Sequence, residues 1–147
     1  MNHAGTANIL LEQPHGRRNV LPFIRPMIVS VRLNTADTAP VLLRLDSGSN
    51  APVLYADQQH LLKASAVRAP MLKRVVNGVV QSFAVLPAQD IFVRACTVRQ
   101  VSFVVPMNEI GSVPVPHEDG LLPTAAFERV FISYSENYAT LYPWTDR

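Results

Sequence analysis

The sequence predicts an all-β domain with one or two short helices, and three observations carry that prediction. Twelve prolines stand against six glycines in a 147-residue chain, with β-branched residues throughout. That balance favours many short strands separated by turns. From Met27 to Leu33 the pattern alternates, with Met27, Val29, Val31 and Leu33 on one face and Ser30 and Arg32 on the other. This is the period of a half-buried strand. Asn77-Gly78 stands between Val75-Val76 and Val79-Val80, and a tight type I′ hairpin turn needs φ > 0 at both central positions.

Asn34 to Pro40 has turn chemistry, and Val41 to Leu45 reads as a second, more buried strand. Tyr55 to Ser65 is the best helix candidate of the first half, although its apolar stripe is ragged. Strands are expected at Val79 to Leu86 and at Val98 to Val105, the latter with Val101, Phe103 and Val105 on one face. Pro114 and Pro116 make Ile110 to Glu118 a loop. Thr124 to Arg129 is expected to form a short helix behind Pro123, with Val130 to Tyr134 and Ala139 to Tyr142 as a closing pair of strands. Residues 1–25 read as an N-terminal extension or interface strand, and residues 26–143 as one domain. Ala7 to Pro14 resembles Tyr138 to Pro143, since both are apolar and end at proline. That likeness fits a chain that begins in the closing strand of an upstream unit, or one whose two terminal strands pair at an interface.

Hydrophobic residues make up 48% and charged residues 16%, a globular composition with enough chain for one real core. A formal net charge of +2 gives no argument for nucleic acid or for an anionic membrane. Cys96 is the single cysteine, so no intrachain disulfide forms. It reads as a small buried residue, because no His spacing supports a Cys–His pair. No apolar run approaches the roughly 18 residues of a membrane helix. Met1 to Glu12 lacks the apolar core of a signal peptide, which makes the cytoplasm the default expectation. Arg17-Arg18 reads as a solvated basic loop. His117-Glu118-Asp119 does not read as a metal site, because three adjacent side chains diverge and no spaced ligands follow.

Chemistry is concentrated at Asp46-Ser47-Gly48-Ser49-Asn50, directly behind the apolar run Val41-Leu42-Leu43-Arg44-Leu45. A strand fixes a carboxylate at its end, which a loop alone does less well. The hydroxyl of Ser47 can bond backbone across a tight symmetric turn. Gly48 permits close backbone approach and φ values closed to other residues. Asp-Ser-Gly alone is ordinary turn sequence; the apolar lead-in is what raises it. Ser47 itself lacks the strand–turn–helix G-x-S-x-G setting of a serine nucleophile. A second element, Asp119-Gly120-Leu121-Leu122-Pro123, is an apolar turn ahead of the last helix and strands.

In this order the chain resembles the retropepsin-like aspartic proteases of the bacterial single-domain type. Those proteins carry D-[ST]-G-[AS] at a strand end, then a glycine-bearing flap hairpin, then an apolar-apolar-glycine segment beside the catalytic loop. Asp46-Ser47-Gly48-Ser49, Asn77-Gly78 and Gly120-Leu121-Leu122 match in sequence order, and the resemblance runs from about Met27 to Pro143. It implies a closed β-barrel of the acid-protease fold. Asp46, Ser47 and Gly48 become the catalytic turn, Asn77 and Gly78 the substrate-binding flap, and Gly120, Leu121 and Leu122 the supporting strand. It further implies hydrolysis of a peptide or protein substrate by a water held between two carboxylates that share a proton, with no cofactor or metal. One such motif per chain implies a homodimer, or else a longer chain with its other motif upstream. The competing class is a non-catalytic peptide- or protein-binding module on the same fold. Two positions depart from the pattern. Pro123 replaces a glycine, and Arg44, by strand alternation, is expected on the side of Asp46, favouring the ionised carboxylate.

Overall fold

A computed structural model of the chain describes residues 20–24, 27–33, 39–55, 70–107 and 118–145. Among these, twelve strands form in order: β1 Val20–Pro22, β2 Ile28–Leu33, β3 Val41–Asp46, β4 Val53–Leu54, β5 Met71–Val76 and β6 Val79–Val85. Then come β7 Gln89–Val93, β8 Cys96–Val101, β9 Val104–Pro106, β10 Gly120–Pro123, β11 Arg129–Ser133 and β12 Tyr138–Tyr142. Nine strands build one sheet in the order β5-β6-β9-β4-β10-β3-β2-β7-β8, and a smaller sheet runs β1-β12-β11. The all-β expectation holds.

The alternation in the sequence is the burial seen in space. Val29, Val31 and Leu33 of β2 and Val41, Leu43 and Leu45 of β3 enter one core with Leu54, Ile91, Phe103 and Leu122. Each such side chain contributes about 1.5–3 kcal/mol by leaving water. The same core takes Ala84 from β6 and Val101 from β8, strands near opposite ends of the sheet. The sheet therefore curls around one core and closes through side chains, while its hydrogen-bonded ladder ends at β5 and β8.

Several local expectations are refined. Met27 adopts φ 66°, so β2 starts one residue later, although the Met27 carbonyl still accepts from Leu45 N at 2.8 Å. The single strand expected over Val98 to Val105 is two. Val101, Phe103 and Val105 are all buried as the period requires, but β8 pairs with β7 whereas β9 pairs with β6 and β4. Gln100, at φ 56°, marks the departure, its N–H held by Asp90 Oδ1 at 3.0 Å. The helix expected at Thr124 to Arg129 shrinks to a 3-10 turn, Thr124–Ala126. Phe127 returns to extended backbone and is buried in the core, and that burial outweighs continuing the helix. The helix candidate from Tyr55 lies, beyond Tyr55 itself, outside the described residues, as do Ala7 to Pro14 and most of the loop at Ile110 to Glu118.

The small sheet uses part of the stretch set apart as an extension. Val20–Pro22 pairs antiparallel with β12, which also pairs with β11. Both edges of β12 are thus satisfied within the chain, leaving β1 and β11 as the edges of that sheet. Arg94, from the β7–β8 turn, donates to the Val20 carbonyl and ties the two sheets together.

Candidate active site

Asp46 is the last residue of β3. Its carboxylate Oδ1 accepts the Gly48 N–H at 2.8 Å, an Asx-type turn that fixes the side chain just beyond the strand. Ser49 Oγ donates to the Ala51 carbonyl at 2.6 Å and shapes the return toward β4. Ser47 is exposed, and its hydroxyl makes no hydrogen bond among the described residues. Gly48 does not use the left-handed region, since Gly78 is the described glycine with positive φ. A Cβ at position 48 would stand 3.4 Å from Asp46 Oδ1, an ordinary contact, so neither φ nor space in the single chain requires glycine there.

The supporting strand is threaded as the sequence order implied. β10 runs parallel to β3 and antiparallel to β4, pairing Leu122 with Leu45 and Pro123 with Asp46. Gly120 is where the strands come closest: a Cβ there would lie 2.0 Å from the Val53 carbonyl oxygen. Pro123 is buried and extended at φ −64°, ψ 136°, a conformation proline accepts without strain. Asp119 locks the entry to β10, accepting from Leu42 N through Oδ2 at 2.7 Å and donating its own N–H to the Leu42 carbonyl at 2.6 Å.

Asn77 at φ 51° and Gly78 at φ 79° form the expected I′ turn between β5 and β6. The two turn residues do not line the cleft beside Asp46; the strands behind them do. A cleft of about 380 Å³ has Asp46, Gly48 and Leu121 on one side and Leu72, Arg74 and Phe83 of the hairpin on the other. A larger groove of about 620 Å³, walled by Val98, Val101, Pro123, Ala126 and Trp144, has no carboxylate among its described lining residues. The smaller cleft is the chemically equipped one.

Arg44, two residues before Asp46 and in the same half-buried set of β3, has a carboxylate partner of its own. Its guanidinium is taken by Glu118, with Nε and Nη2 both 2.5 Å from Oε2. The Glu118 side chain is 3% exposed, and its Oε1 accepts from the Tyr55 hydroxyl at 2.7 Å. Arg44 of β3, Tyr55 just after β4 and Glu118 two residues before β10 thus join one polar cluster, in which the buried carboxylate is paired. Burial first, and then the bond to Glu118, hold the Tyr55 phenol far above its ordinary range. A group whose pKa is raised on folding adds stability below its unfolded value that is lost as pH rises past it. Stability should therefore fall as pH climbs above about 10, and Tyr55→Phe should flatten that alkaline limb in urea titrations at stepped pH. An unchanged limb would contradict the cluster.

Glu118 and Tyr55 were missed from sequence, where Glu118 appeared only in a dismissed metal triplet. Cys96 is buried, which pushes its thiol up and fits a core residue rather than a nucleophile.

No family model matches this sequence, and no curated protein matches it. Among solved structures the chain is similar to a retropepsin-like aspartic protease from Rickettsia conorii, with a TM-score of 0.57 at 12% identity. The match covers 84% of this chain and 89% of that one. At that identity the likeness establishes the fold: this is an all-β, acid-protease-like domain.

Proposed function

We propose that this chain is an aspartic endopeptidase of the retropepsin-like type, acting as a homodimer in which each copy contributes one Asp46. The observation that carries the reading is the meeting of three elements distant in sequence. A carboxylate at the end of β3 shares a cleft with the β5–β6 hairpin, while β10 is threaded between β3 and β4. Water activation by a shared proton needs two carboxylates, and among the described residues Asp46 is the only one lining this cleft. A two-fold axis between paired Asp46 turns supplies the second. Ser47, exposed and unbonded within its own described chain, is available to bond across such an axis.

The ionised member of the pair takes a proton from water as it attacks the peptide carbonyl, and the protonated member donates to the developing oxyanion. The substrate lies extended in the cleft. Incubation of concentrated protein with a peptide library at several pH values tests this. Internal cleavage on the acid side of neutral is expected, fading as the shared proton is removed. Peptides retained but never cut would favour the non-catalytic binding module.

A further inference from the structure

We propose that Arg74 makes this cleft selective for extended peptides that combine an apolar side chain with an acidic one. The inference rests on the reading of the cleft as a peptide site and names the substrate class. On β5, Leu72, Arg74 and Val76 face the cleft, and their neighbour Lys73 belongs to the opposite face. Across the hairpin Leu72 pairs with Phe83 and Arg74 with Gln81, so the wall carries an apolar pair followed by a cationic and amide pair. Val53, Val104 and Leu121 complete the apolar part.

Among the described residues nothing pairs with this cation. Gln81, paired opposite Arg74, is neutral. Asp46 is the only carboxylate among the described lining residues, and the proposed chemistry occupies it with its partner and a water. An extended peptide covering Arg74 removes water from a planar, weakly hydrated guanidinium whose fork fits a carboxylate with two parallel bonds. A glutamate or aspartate side chain satisfies it. A neutral isostere leaves it half-paired, and a lysine is repelled.

The test uses labelled peptides, each with a fixed Phe and either Glu, Gln or Lys at one scanned position. Binding is measured by anisotropy on Asp46→Asn protein, so that the peptides stay whole. At one scanned position Glu should bind about tenfold tighter than Gln, with the ratio shrinking as salt is added. Arg74→Gln should remove the discrimination, and Arg74→Glu should reverse it in favour of Lys. A reversal of sign is not something a misfolded hairpin produces. Equal binding of Glu and Gln peptides at every position, or a Glu preference that survives Arg74→Glu, would overturn the assignment. Cleavage by wild type is scored separately. Charge-dependent binding without cleavage would sink the protease reading and leave the role of Arg74 standing.

Discussion

Replacing Asp46 with asparagine is expected to lower peptide cleavage by at least about a thousandfold while leaving thermal unfolding almost unchanged. The two halves of that expectation come from different observations. Within the described chain, Asp46 makes one hydrogen bond, from Gly48 N to Oδ1, and an asparagine carbonyl oxygen accepts the same bond. The Asx-type turn and the end of β3 should therefore survive. Chemistry should not, because an amide neither takes a proton from water nor shares one with a second carboxylate. Circular dichroism melts beside a cleavage assay separate the two effects. Full activity in a purified, folded variant would falsify the assignment of Asp46.

Gly120→Ala should be the most damaging single-methyl change in the site. A Cβ there would lie 2.0 Å from the Val53 carbonyl oxygen and 3.1 Å from the Leu54 Cα. These are backbone atoms that cannot rotate away. β10 or β4 must move, and β10 is paired to β3 as far as Asp46 while β4 is paired to β10 and β9. Such overpacking costs about 3 kcal/mol or more, which lowers the unfolding midpoint by roughly 10 °C. Gly78→Ala is the control. Its φ of 79° strains any side chain, but a methyl there meets open space, so the cost is about 1 kcal/mol. Equal losses in the two variants would mean that the threading of β10 is looser than described.

What was legible in the sequence was what repeats locally. Alternation buried the correct faces of β2 and β3, and Asn77-Gly78 named its own turn type because the chemistry of positive φ is confined to two residues. The order of Asp46, the hairpin and Gly120 was also readable, because each has a distinctive local composition. What stayed hidden depends on partners far along the chain. Glu118 meets Arg44 and Tyr55 across 74 and 63 residues, so no window reveals that a charged triplet ahead of β10 answers an arginine in β3. The same distance hid why Arg44 is tolerated two residues before Asp46. The break at Ser102-Phe103 was invisible for the opposite reason. The burial period runs straight through it, and only the change of partner strand ends β8. The inward face of Arg74 was not legible either, since β5 is exposed along most of its length and offers no clean apolar stripe.

If two copies of Asp46 form one active site, as proposed, subunit mixing will reveal the pairing. Wild-type protein at fixed concentration is titrated with Asp46→Asn protein under conditions of free exchange, and cleavage is followed per wild-type chain. Paired catalysis predicts that this activity falls in proportion to the wild-type fraction as dead heterodimers form. Sedimentation of the same samples should show one dimeric species throughout. Activity per wild-type chain that holds constant across the titration, from a species sedimenting as a monomer, would contradict the account.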